Sequence, residues 1–408
     1  MKRIELLIVG CITLVSCAEK PYGPVPSKAQ VEWQKMEINM FVHFGPNTFS
    51  GLEWGTGEEP EDLFKPTELD CRQWARTAKA AGMKGIIITA KHHDGFCLWP
   101  NPVSQHTVKD VDVLKELSEA CREEGVKFGV YISPWDRNDP AYGTPEYNNK
   151  YAETLRSVLD GTYGPVFEEW FDGACGEGPN GKIQVYDWDL FHSTVSSLQP
   201  DAIQFGGNNP GCRWVGNERG IAPETNWSVT EDAWVPVEAD VSIRPGWFWR
   251  KSEDDKLKSV DQLMDIYYSS VGRNSLLLLN VPPDTRGKIP AVDSLRLVEF
   301  RARRDSVFAN NLAGSVARKG NTYTVKVKGQ KPFNLVMLQE DIRLGQRIAG
   351  FIVEARQNGS WVEIASGTTV GYKRILRLPE AITASRIRIT ITDAKAAPII
   401  SNMGLYLD

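Results

Sequence analysis

The 408-residue chain contains no CxxC spacing, and beyond its first 17 residues its cysteines are five scattered positions, Cys71, Cys97, Cys121, Cys175 and Cys212. An odd, unpaired set of this kind indicates neither a disulfide scaffold nor a zinc site. There is no HExxH or HxH spacing to hold a metal, no GxSxG elbow to present a serine nucleophile, and no phosphate loop. Positive charge is also short: 47 Lys and Arg face 52 Asp and Glu, a net charge of −5 that excludes the basic footprint of a nucleic-acid binder. What remains implies no metal and no cofactor. Low-complexity linkers are missing as well, so the domains of the chain are expected to pack directly on one another.

What is present begins with Lys2 and Arg3, followed by an apolar stretch from Leu6 to Val15 that is too short to span a bilayer and ends in LVSC. Residues 1–17 resemble a bacterial lipoprotein signal, with Cys17 as the lipidated residue; a plain secretory signal cut nearby is the alternative. Both imply export from a bacterial cell, to the periplasm or as an outer-membrane lipoprotein. Membrane contact would then come only through the anchor. Thirteen Trp is a high count, and flat sugar faces match indole rings, although any one Trp fits a large core as well.

Over 28–310 strand and helix signals alternate. INMFVHFG (38–45) reads as a strand; Trp74, Ala78 and Ala81 share a helix face, and Gly82 closes that helix. KGIIITAKHHDGF (84–96) follows, then a helix lined by Val113, Leu114, Leu117 and Cys121, closed by Gly125, then KFGVYISPW (127–135). Further strands are expected at 165–172, 202–206, 220–223, 241–248 and 275–281, with helices near 147–160, 184–198, 259–272 and 291–309. The count approaches eight βα units and predicts an α/β fold, a (β/α)8-like TIM barrel, irregular around 200–250. From 311 to 408, YTVKVKG, RIAGFIVEAR, SWVEIA and RIRITIT alternate in period two between Gly, Asn and Pro turns, which predicts a C-terminal antiparallel β-sandwich.

Barrel enzymes carry their chemistry at the C-terminal ends of the strands. The polar residues there are His43, Glu53 and Trp54 in the loop beyond it, His92 and His93, Trp135 with Asp136, and Asp172. A strand-end histidine taken alone reads as a core histidine, but three of the chain's five fall in this set. His92 and His93 both reach the mouth only if their strand has already ended, which Asp94 and Gly95 favour. Carboxylates with sugar-sized aromatics point to glycoside hydrolysis.

The segments MFVHFGPNTFS, LEWG, AKHHDGFCLWP, YISPWDRN, EWFDGACG, RWVGNERG, SIRPGWFW and NVPPDTRGKI resemble, in family order across most of 38–290, the α-L-fucosidases of glycoside hydrolase family 29. RWVGNERG is most similar to the branch acting on α-1,3 and α-1,4 fucosyl linkages of Lewis-type glycans. The resemblance implies a retaining, exo-acting fucosidase with Asp172 as nucleophile and Glu218, the Glu of GNE, as acid/base. It implies that His43, Glu53, Trp54, His92 and His93 bind fucose, that Trp247 packs on the sugar, and that Arg244 lies nearby. Trp135, Asp136 and Asn217 either contact the sugars beyond fucose or shape loops. Fucosylated oligosaccharides or glycoconjugates are the implied partners. A broad-specificity fucosidase, a glycosidase for another sugar, and a non-catalytic glycan-binding lipoprotein are the alternatives.

The residues themselves limit the partner of Asp172. A retaining pair sits ~5–5.5 Å apart. Glu168 shares a strand face with Asp172, but four residues separate them by roughly 13 Å. Glu169 faces the other way, towards a helix or solvent. Glu177 and Glu224 are not excluded by geometry, and the preference for Glu218 rests on the resemblance. Gly173 and Gly176 are expected to clear room for the sugar.

Overall fold

Short buried runs between capped helices build the first part of the chain, seen in a computed structural model that describes residues 20–408. The expected export segment 1–17 with Cys17 lies outside the described residues. The strands are β1 (Ile38–Val42), β2 (Gly85–Lys91), β3 (Lys127–Ile132), β4 (Val166–Trp170), β5 (Ile203–Phe205), β6 (Arg213–Trp214), β7 (Val237–Ser242) and β8 (Ser275–Asn280). They pair in parallel in the order β5-β4-β3-β2-β1-β8-β7-β6. A bridge from Phe205 to Cys212 joins the two ends, so the barrel is nearly closed.

Around it run α1 (Lys28–Gln34), α2 (Pro46–Ser50), α3 (Cys71–Ala80), α4 (Val113–Glu124), α5 (Pro145–Leu159), α6 (Trp188–Leu198), α7 (Val260–Ser269) and α8 (Ala291–Phe308). The caps are local. Asp70 and Asp112 accept backbone N–H groups at the starts of α3 and α4, and Gly125 ends α4 at φ 70°. Helix α1 closes the floor: the Trp33 indole enters the barrel and donates to Glu168 at 2.7 Å. Gln30 of the same helix donates to Gly211 and Trp234 carbonyls beneath the β5–β6 ends.

Two of the expected strands are corrected. Residues 220–223 form no strand; the sixth strand is the two-residue Arg213–Trp214. The segment expected at 241–248 pairs instead at 237–242, because the ladder to β8 runs from Val237–Ser275 to Ser242–Asn280 and the chain bends away after Ser242. No α-helix separates β5 from β6, and between β6 and β7 there is only a 3-10 turn at Glu224–Asn226.

The C-terminal strands are β9 (Ala313–Lys319), β10 (Thr322–Val327), β11 (Phe333–Glu340), β12 (Ile348–Gln357), β13 (Ser360–Gly367), β14 (Arg374–Ile382), β15 (Arg386–Ala394) and β16 (Ile400–Tyr406). They form a five-stranded sheet, β13-β12-β15-β10-β9, over a three-stranded one, β14-β11-β16. Strand parity divides β11 between two cores. Val336 and Leu338 pack with Val353 and Ile389 inside the sandwich, while Leu335 and Met337 join the barrel's core. Phe308 of α8 meets Tyr406 of β16 at 4.9 Å, so barrel and sandwich share a hydrophobic seam.

Candidate active site

At the C-terminal end of the barrel strands lies a cavity of about 540 Å³. Phe41, Trp170 and Phe205 line it from inside the barrel, and His43, Glu53, Trp54, His92, His93, Asp172, Glu218 and Trp247 line it from the strand ends and loops. Asp172 leaves β4 pointing inward. Its Oδ2 accepts the Tyr131 hydroxyl at 2.8 Å and its Oδ1 the Ala174 N–H at 2.8 Å, so both oxygens are fixed in direction. Glu218 stands on the loop after β6, exposed towards solvent, and its Oε2 accepts the Trp247 indole N–H at 3.3 Å.

The histidines are held neutral. Burial pushes His43 down to about 3 and His93 down to about 4, and takes His92 well below the usual imidazole range. The hydrogen-bond network also fixes tautomers. Asn280 donates through Nδ2 to Ser242 and to the Trp247 carbonyl, so its Oδ1, 2.8 Å from His43 Nδ1, is an acceptor and Nδ1 carries the proton. Ser133 donates to the Trp135 carbonyl and therefore accepts from His93 Nδ1, which lies 2.8 Å away. Both rings keep Nε2 as a free acceptor for a hydroxyl; His93 Nε2 lies 3.7 Å from Asp172. Glu53 is anchored by the Trp247 N–H and by Arg250.

Below the mouth the barrel interior is acidic, and among the described residues Glu168, Glu238 and Asp240 are held by indole N–H groups. Four indoles donate to four carboxyl groups from floor to rim: Trp33 to Glu168 (2.7 Å), Trp170 to Glu238 (2.9 Å), Trp214 to Asp240 (2.7 Å) and Trp247 to Glu218 (3.3 Å). Burial raises Glu168 and Glu238 far above the usual carboxylate range, and takes Asp240 up to about 7 with Glu218 and Asp172 adding to the push. Asp94 and Glu340 are likewise raised by burial to about 7. A carboxyl with a raised folded pKa binds its proton more tightly folded than unfolded, so its contribution is full below about 4 and lost as pH climbs through 7. The lowered histidines exert their slope only below 6.5. Between pH 6.5 and 8 the carboxyls therefore set the sign, and the melting temperature is expected to fall across that interval in a thermal scan. A flat or rising profile would contradict the assignment.

Several expected residues lie elsewhere. Arg244 is buried against α8, its guanidinium bound to Asp293 (2.6 and 2.8 Å) and to Asp254 (3.0 Å), and it does not line the cavity. Asp136 is buried too, 3.1 Å from Lys91 and accepting the N–H groups of Asn138 and Asp139, which is the loop-shaping alternative. Trp135 sits behind the cavity wall, donating to the Glu177 carbonyl and lying 5.8 Å from Trp54 and 4.8 Å from His93. Asn217 donates to the Ile221 carbonyl within its own loop. Neither Glu177 nor Glu224 lines the cavity, and Glu224 accepts Thr368 of the sandwich. Glu168 is buried at the floor, and Glu169 is buried facing the helix layer. Gly173 faces open space, but a Cβ on Gly176 would lie 2.2 Å from the Trp135 ring, so that glycine seats a tryptophan rather than a sugar.

Sequence reasoning passed over Tyr131, Trp214, Asp240 and Arg250. Tyr131 lies within the expected strand 127–135, one residue before the end of β3, and was findable there; Asp240 falls just outside the expected strand 241–248 and was not. Arg250 reaches Glu53 across 197 positions, and nothing local signals that pairing.

The alpha-L-fucosidase family model matches residues 25–301. The chain is 40% identical to alpha-L-fucosidase 1 of Arabidopsis thaliana, over 95% of this chain and 88% of that protein. A glycoside hydrolase 29 family member from an unknown rumen bacterium superposes with a TM-score of 0.91 at 42% identity, covering 95% of this chain and 78% of that one. A family 29 fucosidase of Ruminococcus gnavus, solved in complex with fucose, gives 0.87 at 30% identity over 96% of each chain. With the family model covering the barrel and these relatives covering nearly the whole length, the chain belongs to the α-L-fucosidases of glycoside hydrolase family 29.

Proposed function

We propose that the protein is a retaining, exo-acting fucosidase that releases α-1,3- and α-1,4-linked L-fucose from Lewis-type glycans. The observation that carries the reading is one cavity lined by both Asp172 and Glu218, with the carboxyl group of each oriented by a fixed donor. Glu218 gives its proton to the departing glycosidic oxygen as Asp172 Oδ attacks the anomeric carbon; the C–O bond breaks and a fucosyl ester forms. Glu218, now a carboxylate, takes a proton from water, whose oxygen displaces Asp172 and frees fucose with retained configuration. His43 and His93 accept sugar hydroxyls through Nε2, and Glu53 accepts another. Trp247 lies against the ring, where the C6 methyl of fucose leaves no hydroxyl to satisfy. The closed aromatic floor of Phe41, Trp170 and Phe205 supports an exo mode, because no chain can thread through it. The RWVGNERG segment supports the linkage preference.

Product analysis on Lewis-type, blood-group H and 2'-fucosyl substrates side by side tests this. Fucose is expected from the Lewis-type substrate, at a rate at least about tenfold above the others, with the α-anomer appearing first by NMR. Equal or faster release from the 2-linked substrates would sink the linkage assignment. Initial β-anomer would sink the retaining mechanism.

A further inference from the structure

Trp214 is a large apolar side chain left 45% exposed at the rim of the cavity, four residues before Glu218. Other tryptophans of intermediate exposure are covered: the Trp361 ring has Arg388 and Arg356 over it at 4.5 and 5.4 Å, and the Trp227 ring has Arg374 at 3.5 Å. Among the described residues no aromatic ring or cation is found over Trp214 in this way. Yet its orientation is fixed. Its Nε1–H is tied at 2.7 Å to Asp240, a carboxyl group 5% exposed, so the polar edge of the indole turns inward and an apolar face stays bare. Its backbone is paired to β7, Trp214 against Glu238. A ring fixed at its edge and bare on its face is preorganised to stack on a flat ligand.

The position says which ligand. In the reading given above, Glu218 protonates the glycosidic oxygen, so the sugar that leaves with this oxygen must begin within reach of Glu218. Trp247 approaches Glu218 from the fucose side, through its own indole N–H. Trp214 belongs to the strand from which the Glu218 loop departs. We infer that Trp214, held in place by Asp240, is the wall on which the leaving pyranose stacks, and that it contributes to the choice of glycan over simple fucosides. Asp240 is then a positioning residue acting through the indole. This inference rests on Glu218 being the acid/base.

The test compares a Lewis-type trisaccharide with α-L-fucosyl fluoride, whose leaving group has no ring to stack. Trp214→Ala is expected to lower the ratio of kcat/KM for the trisaccharide to that for the fluoride by about 30-fold, mainly through KM, and Trp214→Phe to recover most of it. Asp240→Leu should lower the same ratio, and Asp240→Asn, whose amide oxygen still accepts the indole N–H, should lower it less. An unchanged ratio in Trp214→Ala, whether both rates fall together or neither falls, overturns the inference. Azide rescue of Glu218→Ala is read independently, so a failed Glu218 assignment and a failed Trp214 assignment give different patterns.

Discussion

Asp172→Asn is expected to lose turnover on every fucoside, glycan or aryl, on the order of 10⁴-fold or more in kcat. The substitution is nearly isosteric, and the Asn side-chain oxygen can still accept the Ala174 N–H or the Tyr131 hydroxyl that fix Asp172 now. The cavity therefore keeps its shape and what disappears is the proposed nucleophile. An amide oxygen attacks an anomeric carbon poorly, and among the described residues the carboxyl groups deeper in the barrel are already held by other partners. Asp240 lies deeper and is tied to Trp214, and Glu168 is buried at the floor against Trp33. A second measurement asks the same question of the unaltered enzyme. A 2-fluoro-fucosyl fluoride should trap a covalent ester, and the mass of the peptide carrying Asp172 should rise by one fluorofucosyl group. If the label lands on Glu218, or if Asp172→Asn keeps more than about 1% of wild-type activity, the nucleophile is misassigned.

Glu218→Ala is expected to behave differently with each leaving group. Natural glycans depart as poor leaving groups and need the proton, so their hydrolysis should fall by about 10²–10⁴-fold. An aryl fucoside with an acidic phenol leaves without help, so its first step should persist and the fucosyl-enzyme should accumulate. Azide needs no base, enters where water would, and should restore turnover by forming an α-fucosyl azide with retained configuration. The structure leaves few rivals for the role. Glu177 and Glu224 lie outside the cavity, and Glu53 is fixed by Arg250 and by the Trp247 backbone N–H. Normal cleavage of a natural glycan by Glu218→Ala would end the assignment.

How legible the fold was depended on what each strand encloses. INMFV and GIIITAK are buried at every position and read plainly as strands. VEADVS is just as buried, but it places Glu238 and Asp240 inside the barrel, where parity reasoning expects apolar side chains. The aromatic run that follows carries the stronger strand signal. Those carboxyl groups are tolerated because indole N–H groups from distant segments meet them, Trp170 from β4 and Trp214 from β6, and such pairings leave no local trace. Arg213–Trp214 is too short to carry any period. At the site, residues at the ends of regular strands, such as His43, His93 and Asp172, could be placed at the mouth of the barrel from the sequence. Arg244 could not, because its direction is set by Asp293 of α8, forty-nine positions away. Family resemblance put Glu218 and Trp247 forward; nothing in their own segments says that they meet.

The near-closure of the barrel gives Asp172 and Glu218 mechanically different supports. Asp172 follows a strand with hydrogen-bonded neighbours on both sides, β3 and β5. Glu218 follows a two-residue strand paired on one side to β7, with only the Phe205–Cys212 bridge behind it. Lengthening or rerouting the loop after β6 breaks almost no ladder, whereas the same change after β4 would disturb two. If Glu218 and Asp172 act as proposed, a change of chain length after β6 would move the proton donor while leaving the proposed nucleophile in place, so the weakest join of the barrel is where the proposed pair is most easily re-spaced.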